Sequence, residues 1–452
     1  MKRPDSGEPT DPANGPANGP ADGAASGPAD EVASDRDGGP SRRRLLAGAG
    51  LFGAGAVAGG LGGYFGHGSS TTSSAAEVGE DSTSTVPFYG THQAGIATPA
   101  QDRLAFGTMN VVSGTSRADL RDLLREWTTA AARMSAGELV GEDTQAYAPP
   151  VDTGEAVGSP VSQLTITLGY GPSLFDSRFG LANRKPSALA ELPPLPNENL
   201  DPDYTGGDLC IQACSNDPLV AFHAVRNLAR IGMGVVEHNW MELGFGRTST
   251  TSTAQATPRN LLGFKDGTRN IKAEQTDLMN NYVWAGQETD QSWLRGGSYL
   301  VARKIRIFVE NWDRDYLQDQ EKVIGRSKVS GAPLSGGTEF TTPNFNAKAA
   351  GGLGTAIPAD AHVRLASFEH NGGTRILRRG YSFTDGIDPQ RGTLLGGLFF
   401  IAFMKNPSQF IKLQNSLGAD SLNEYIQHTG SGVFACPPGL SQGQYWGDGL
   451  FA

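Results

Sequence analysis

Residues 104–127 read LAFGTMNVVSGTSRADLRDLLREW, and this stretch decides the fold. Leu104 to Val112 is a predicted strand. Ser116 then caps a helix, with Asp119 three residues on, so that each side chain can satisfy the other's backbone N–H. Leu120, Leu123, Leu124 and Trp127 follow at i, i+3, i+4 and i+7, one helical face. Downstream, Leu164, Ile166 and Leu168 alternate with Thr165 and Thr167, a strand period. A Pro-rich connection through Pro193-Pro194-Leu195-Pro196 leads to a strand at Leu209-Cys210-Ile211. Pro218 to Ile231 is a predicted helix with Leu219, Phe222, Val225, Leu228 and Ala229 inward, and Val235 to Phe245 is strand-like. The order is βαββαβ, the ferredoxin-like plan.

The second half repeats the plan. Ser298 to Val309 is a strong strand, Arg314 to Ile324 is helical, and Arg375 to Phe383 and Leu398 to Phe403 are strands. The last is apolar throughout, as expected of a strand buried on both faces. Pro407 opens a helix with Phe410, Leu413 and Leu417 inward. The fold class is therefore α+β: two ferredoxin-like units with antiparallel sheets, spanning 85–262 and 263–452. The segment 326–374, rich in Gly, Pro, Ser and Thr, is too long for a plain connector, and a loop of that length covers or builds a site.

The chain has 452 residues, 37 basic and 47 acidic side chains, 61 glycines and three cysteines. The acidic balance argues against a general nucleic-acid binder, and three cysteines make no disulfide scaffold. Residues 1–84 hold 6 basic and 11 acidic side chains and 18 glycines, leaving the body at a net charge of -5. Met1 to Pro40, built mostly from Pro, Ala, Gly, Asp and Ser, reads as disordered because it has too little apolar surface to offset its ordering entropy. Ser41-Arg42-Arg43-Arg44-Leu45-Leu46 and the Gly/Ala-rich run to Phe65 have the layout of a twin-arginine (Tat) export signal, with a cleavage region at Ser74-Ala75-Ala76. The expectation is a 1–84 extension plus signal and export by the Tat machinery to the cell envelope, periplasm or medium, with no stable membrane insertion after cleavage.

Four segments carry chemistry. Gly263-Phe264-Lys265-Asp266-Gly267-Thr268-Arg269-Asn270 holds a carboxylate between glycines on a tight turn, where backbone can approach a ligand closely. Asp360-Ala361-His362-Val363-Arg364 places His362 in a polar loop. Ile376 to Phe383 carries Arg378 and Arg379, adjacent on a strand and so aimed at opposite faces, one to a pocket and one to solvent. Gly397 to Phe403 is an aromatic-aliphatic strand fit to wall an apolar cavity. Singly, each has an ordinary explanation: Asp-Gly is a common turn, a lone histidine is more often a surface residue, and an apolar strand is more often core.

Together, in this order over duplicated βαββαβ units, they resemble the dye-decolorizing peroxidase family, haem enzymes built from two ferredoxin-like domains, and in particular the Tat-exported branch that includes deferrochelatase/peroxidases. The resemblance covers the body from about residue 86 onward. It implies one haem b per chain, held mainly by the second domain, with His362 as iron ligand and Asp266, Gly267 and Arg378 lining its distal side. It further implies hydrogen peroxide as oxidant, reduced through an oxyferryl intermediate with Asp266 moving the proton and Arg378 stabilising charge. Asn270 stands as a distal polar partner, with Arg379 as the alternative arginine and His370 as the alternative ligand. Dyes, phenols and other one-electron donors are the implied reductants, with Tyr425 and Tyr381 as candidate electron relays. The alternative reading is a haem-handling deferrochelatase that releases iron from haem, and a third is a ferredoxin-like binding domain without cofactor. Cys210 and Cys214, four apart on one strand, lie too far apart to bridge, so free buried thiols are expected.

Overall fold

The computed structural model describes residues 83–143 and 145–452. The twin-arginine motif and the Ser74-Ala75-Ala76 cleavage region lie outside the described residues. The first half forms β1 (Arg103–Val111), α1 (Arg117–Ser135), β2 (Thr165–Tyr170), β3 (Leu209–Ser215), α2 (Pro218–Ile231) and β4 (Val236–Arg247). The capping box forms as expected: Ser116 Oγ accepts from Asp119 N at 3.1 Å, and Asp119 accepts from Ser116 N at 3.0 Å. Leu120, Leu123, Leu124 and Trp127 are buried. On α2 the inward stripe is rotated from the expectation. Leu219 is 44% exposed, while Val220, Ala221 and Ala224 are buried. The reason is local: Asp217 caps Leu219 N and Val220 N, which fixes the first turn with Leu219 outward.

The second half begins with α3 (Thr276–Tyr282), β5 (Ser298–Ile307), α4 (Val309–Trp312), α5 (Leu317–Ile324) and α6 (His362–Leu365). It continues through β6 (Leu377–Arg378), β7 (Tyr381–Ile387), β8 (Leu394–Met404), α7 (Ser408–Ser416) and β9 (Ile426–Cys436). The single strand expected over 375–383 is broken at Arg379-Gly380, and the helix expected from Arg314 starts at Leu317. The strand β9 was not expected at all: its Gly430, Ser431 and Gly432 dilute the apolar signal.

Within each half the strand order is that of a ferredoxin-like sheet, β2-β3-β1-β4 and β9-β5-β8-β7, all antiparallel. Tyr170 of β2 meets Ala435 of β9, and Phe245 of β4 meets Ser382 of β7, while β8 pairs back with β5. The two sheets therefore close into one ring. Phe106, Cys210, Trp240, Phe399 and Phe434 fill the space between them. This explains why β2 is buried on both faces despite its alternating sequence: Thr165 accepts from Gln101, and Thr167 donates to Ala94 O at 2.7 Å. Cys210, Cys214 and Cys436 are free and buried, as expected. Among the described residues, no helix is long and apolar enough to cross a membrane.

One irregularity shapes the second half. In the β5–β9 ladder Lys304 pairs with Gly430 and Ile305 with His428, so Thr429 is an extra residue on β9. Such a bulge reverses which face the following side chains occupy. Beyond it, Ile426 and His428 point out of the ring, on the same side as Ile305, Ile307, Leu398 and Phe400, and all six line one cavity.

Candidate functional site

That cavity, of about 280 Å³, is lined only by residues between Asn260 and His428. Its floor is the outer face of β5 and β8. Because side chains alternate along a strand, Leu398 and Phe400 face the cavity while Phe399, Ile401 and Phe403 fill the ring interior. Phe410 and Leu413 of α7 supply further apolar wall. The long segment 326–374 builds a side, contributing Arg326, His362, Val363, Ala366, Ser367, Phe368 and Thr374.

The structure brings Asp266, Gly267, Asn270, His362 and Arg378 to this one cavity. His362 opens a one-turn helix instead of lying in a loop. Its side chain is 34% exposed, and that surface faces the cavity. His362 Nδ1 lies 2.6 Å from Asp420 Oδ2, which leaves Nε2 as the free ring nitrogen. Burial lowers the pKa of His362, but the Asp420 carboxylate outweighs it, and Asp266 adds to the rise while Arg378 opposes it; the net direction is up. Asp420 is itself buried, and its other oxygen accepts from Leu422 N at 2.9 Å.

On the GxxDG turn, Asp266 receives Arg378 Nη1 at 2.7 Å and Asn260 Nδ2 at 3.2 Å. Arg378 and Asp266 are both close enough to bias His362 electrostatically. Asn270 has a different environment from a free distal donor. Its Nδ2 donates to Thr250 O and Arg378 O at 2.9 and 2.8 Å, and its Oδ1 accepts from Arg378 N at 2.8 Å. Both its donor hydrogens are committed to backbone, so it positions Arg378. Gly267 has φ +82°, and a Cβ there would meet Ser249 Cα at 2.8 Å; at Gly263 it would meet Lys328 Cε at 2.8 Å. Both glycines sit at positive φ, and at Gly267 a Cβ would also press on the Ser249 backbone, so the turn itself calls for glycine.

Arg379 corrects a second expectation. It does face away from Arg378, but not into solvent: it is fully buried, with its guanidinium held by Thr98 O and Gln101. The strand break keeps Arg378 and not Arg379 in the cavity. His370 is exposed and does not line the cavity. His238 is exposed on β4, and His223 is buried against Asp152 at 2.9 Å. Tyr381 is fully buried inside the ring, whereas Tyr425 is partly exposed beside the cavity wall.

Three residues were missed from sequence. Asp420 follows His362 by 58 positions, and its only local signal, an Asx cap on Leu422, says nothing of a histidine. His428 enters the cavity through the bulge. Burial and the Arg303 guanidinium push its pKa down to about 3, so it stays neutral. Glu339 gathers Lys265 and Thr268 from the GxxDG turn.

The donor set discriminates between cofactors. Among the described residues there is no group of three or more His, Cys, Asp or Glu side chains able to hold a metal ion. A single histidine with a preset tautomer in an apolar cavity fits a metal that brings its own equatorial ligands, which is haem. Fold and site together define a haem-binding α+β enzyme. Family models agree: "Dyp-type peroxidase, N-terminal" matches residues 93–246 and "Dyp-type peroxidase, C-terminal" matches 257–441. The chain belongs to the Dyp-type peroxidase family and is a haem peroxidase. Proteins named Deferrochelatase from Escherichia coli K12 and Yersinia pseudotuberculosis are each 36% identical to it, the first over 91% of this chain and 97% of its own length, the second over 90% and 94%. Ferric DtpA from Streptomyces lividans superposes with a TM-score of 0.75 at 36% identity, covering 82% of this chain and 98% of that one. A DyP-type peroxidase from Cellulomonas bogoriensis gives 0.73 at 33% identity, covering 82% and 98%.

Proposed function

We propose that this chain binds one haem b, which His362 would hold through its iron, and reduces hydrogen peroxide with Asp266 and Arg378. The observation that carries the reading is the arrangement of the Asp266–Arg378 pair and the Asp420-bonded His362 around one apolar cavity. Bound haem supplies an iron that takes up peroxide and exchanges single electrons. The chain does the rest. Asp420 holds the His362 ring by Nδ1 and keeps Nε2 unprotonated for ligation. Asp266 takes the proton from one peroxide oxygen and returns it to the departing one. Arg378, always cationic, draws Asp266 into place at 2.7 Å and stabilises the charge that gathers on the leaving oxygen. Asn270 fixes the Arg378 backbone. Leu398, Phe400 and Phe410 exclude water from the reacting atoms. Donors too bulky for the cavity deliver their electrons at Tyr425.

Stopped-flow mixing with peroxide, read by the Soret change, tests the assignment. Asp266→Asn and Arg378→Leu should each slow the reaction by about 100-fold or more; undiminished rates would remove both from the reaction. His362→Ala should lose stable haem and its Soret band.

A second reading, release of iron from haem, has support in the Deferrochelatase names of the relatives. Incubation with haem but no peroxide separates the two: metal-free porphyrin supports release, while intact haem with fast peroxide turnover supports the peroxidase. The Ser41-Arg42-Arg43 motif supports export by the Tat route to the envelope or medium. Fractionation of cells producing the chain with Arg42→Lys and Arg43→Lys tests it, with retention in the cytoplasm as the expected result.

A further inference from the structure

One buried carboxylate grips the Asp266 turn from outside. Glu339 lies in the long segment between α5 and α6 and is 8% exposed. Its Oε2 accepts from Lys265 Nζ, and its Oε1 accepts from Thr268 Oγ1 at 3.2 Å. Those two residues bracket Asp266 in the chain. The Thr257 side chain donates to the same carboxylate, and the carbonyl of the next residue, Pro258, accepts from Asp266 N at 3.0 Å. We infer that Glu339 is a positioning residue for the peroxide reaction: through Lys265 and Thr268 it sets the angle at which Asp266 meets Arg378 and the peroxide. This deepens the reading of Asp266 as the group that moves the peroxide proton, and rests on it.

The turn needs such a grip. Gly263 and Gly267 are both at positive φ and carry no side chain to anchor it. The Asp266 side chain is held at its tip, by Arg378 Nη1 at 2.7 Å and Asn260 Nδ2 at 3.2 Å. Arg378 draws the carboxylate toward itself, so the backbone beneath has to resist. The resistance comes from 326–339. Arg259 donates to Gly263 O at 2.7 Å and to Lys328 O at 2.6 Å, which fastens the start of the turn. Glu339 fastens its middle and end. Glu339 is in turn fixed through its own carbonyl, which accepts from Arg326 Nη1 at 2.9 Å. The Lys265 stem lies against Gly331, where a Cβ would meet Lys265 Cδ at 2.8 Å, so the ammonium is led to Glu339. A misplacement of about 1 Å at a reacting group costs about 100-fold in rate.

Charge adds a second reason. Lys265 and Asp266 line the same cavity. Burial alone favours the neutral acid at Glu339, but the bonds from Lys265, Thr257 and Thr268 outweigh it, and its pKa moves down. An ionised carboxylate only accepts, so it can serve all three donors at once. It also takes up the Lys265 charge. Without it, that ammonium is free to turn to Asp266 and compete with Arg378 for the carboxylate. The neighbouring cations are already engaged: Arg269 pairs with Glu369 at 2.6 Å, and Lys272 Nζ donates to Thr250 O at 2.9 Å. Glu339 thus leaves Arg378 as the cation bonded to Asp266.

Haem-loaded variants mixed with peroxide in stopped flow, read by the Soret change, test the role. Glu339→Gln should slow the reaction about tenfold or more while keeping the Soret band and the haem affinity, since His362 and Asp420 are untouched. In the Asp266→Asn background the same change should cost no further rate, because a residue that acts through Asp266 has nothing left to position. Exchange of the pair, Lys265→Glu with Glu339→Lys, should recover most of the loss. In haem-free protein labelled at the arginine nitrogens, NMR should show the Arg378 guanidinium signals of Glu339→Gln shifted toward those of Asp266→Asn. Thr268→Val removes one donor and keeps the volume; it should show the same pattern at about threefold, and it carries the test if Glu339→Gln fails to fold. Wild-type rates in both variants, or losses that add to that of Asp266→Asn, would overturn the proposal. A wild-type rate in Asp266→Asn itself would instead overturn the underlying reading of Asp266.

Discussion

Replacing Asp420 by Asn probes a buried carboxylate of the site. Asp420 Oδ2 receives His362 Nδ1 at 2.6 Å, and Oδ1 receives Leu422 N at 2.9 Å. Asparagine keeps the shape and the Leu422 cap but turns an NH₂ toward Nδ1. Two donors then face each other, and the ring relieves this by moving its proton to Nε2, the nitrogen needed for iron. Loss of such a partner behind a metal-bound histidine costs about 10- to 100-fold in affinity, or about 1.4–2.8 kcal/mol. If the loss falls on the ferric state, the midpoint potential rises by about 60–120 mV. Competition for haem against a reference haem binder and spectroelectrochemistry measure the two quantities. The pH dependence has a definite sign. The folded pKa of His362 lies above its unfolded value. In haem-free protein the pair therefore contributes stability that is complete below about pH 6.5 and is lost as pH rises through the folded value. Haem capture runs the other way, weakening as pH falls through that value, and Asp420→Asn should shift this fall to lower pH. Unchanged affinity and potential in Asp420→Asn would refute the assignment of Asp420 as the group that presets the ligand.

Arg379→Met should destabilise the fold by about 2 kcal/mol or more, because Thr98 O and Gln101 lose a buried donor. The peroxide rate of the folded fraction should fall far less than in Arg378→Leu, and an equal fall would reverse the assignment of the two arginines. Gly267→Ala, at φ +82° with its Cβ 2.8 Å from Ser249 Cα, should cost about 1–3 kcal/mol in denaturant titrations; an undiminished midpoint would show that the turn yields. Within the ring, burial drives the Glu242 pKa up to about 7 despite Lys304 at 2.7 Å. A raised carboxyl pKa contributes stability that is complete below about pH 4.3 and is lost as pH rises through 7, up to about 3 kcal/mol. Denaturation from pH 5 to 8 should show that decline, and Glu242→Gln should flatten it.

The capping box at Ser116 and Asp119 and the apolar stripe from Leu120 to Trp127 needed nothing beyond local chemistry, so the helix and the βαββαβ order of the first half were legible in the chain. The residues Asp266, His362 and Arg378 were legible as a set because their types and order are distinctive. Asp420 was not, since a carboxylate's role depends on which ring reaches it across the fold. The strand β9 was hidden by its own glycines. The face that His428 takes was decided by one unpaired residue, Thr429, in a ladder with β5. For the adjacent arginines, sequence established that they point apart; that Arg378 meets Asp266 and Arg379 is buried came from the closure of the sheets. Sequence by itself determined the local elements and the stock of chemical groups, because periodicity and capping act over a few residues. Tertiary structure alone decided which groups share a cavity, because the two sheets join through strands more than a hundred residues apart.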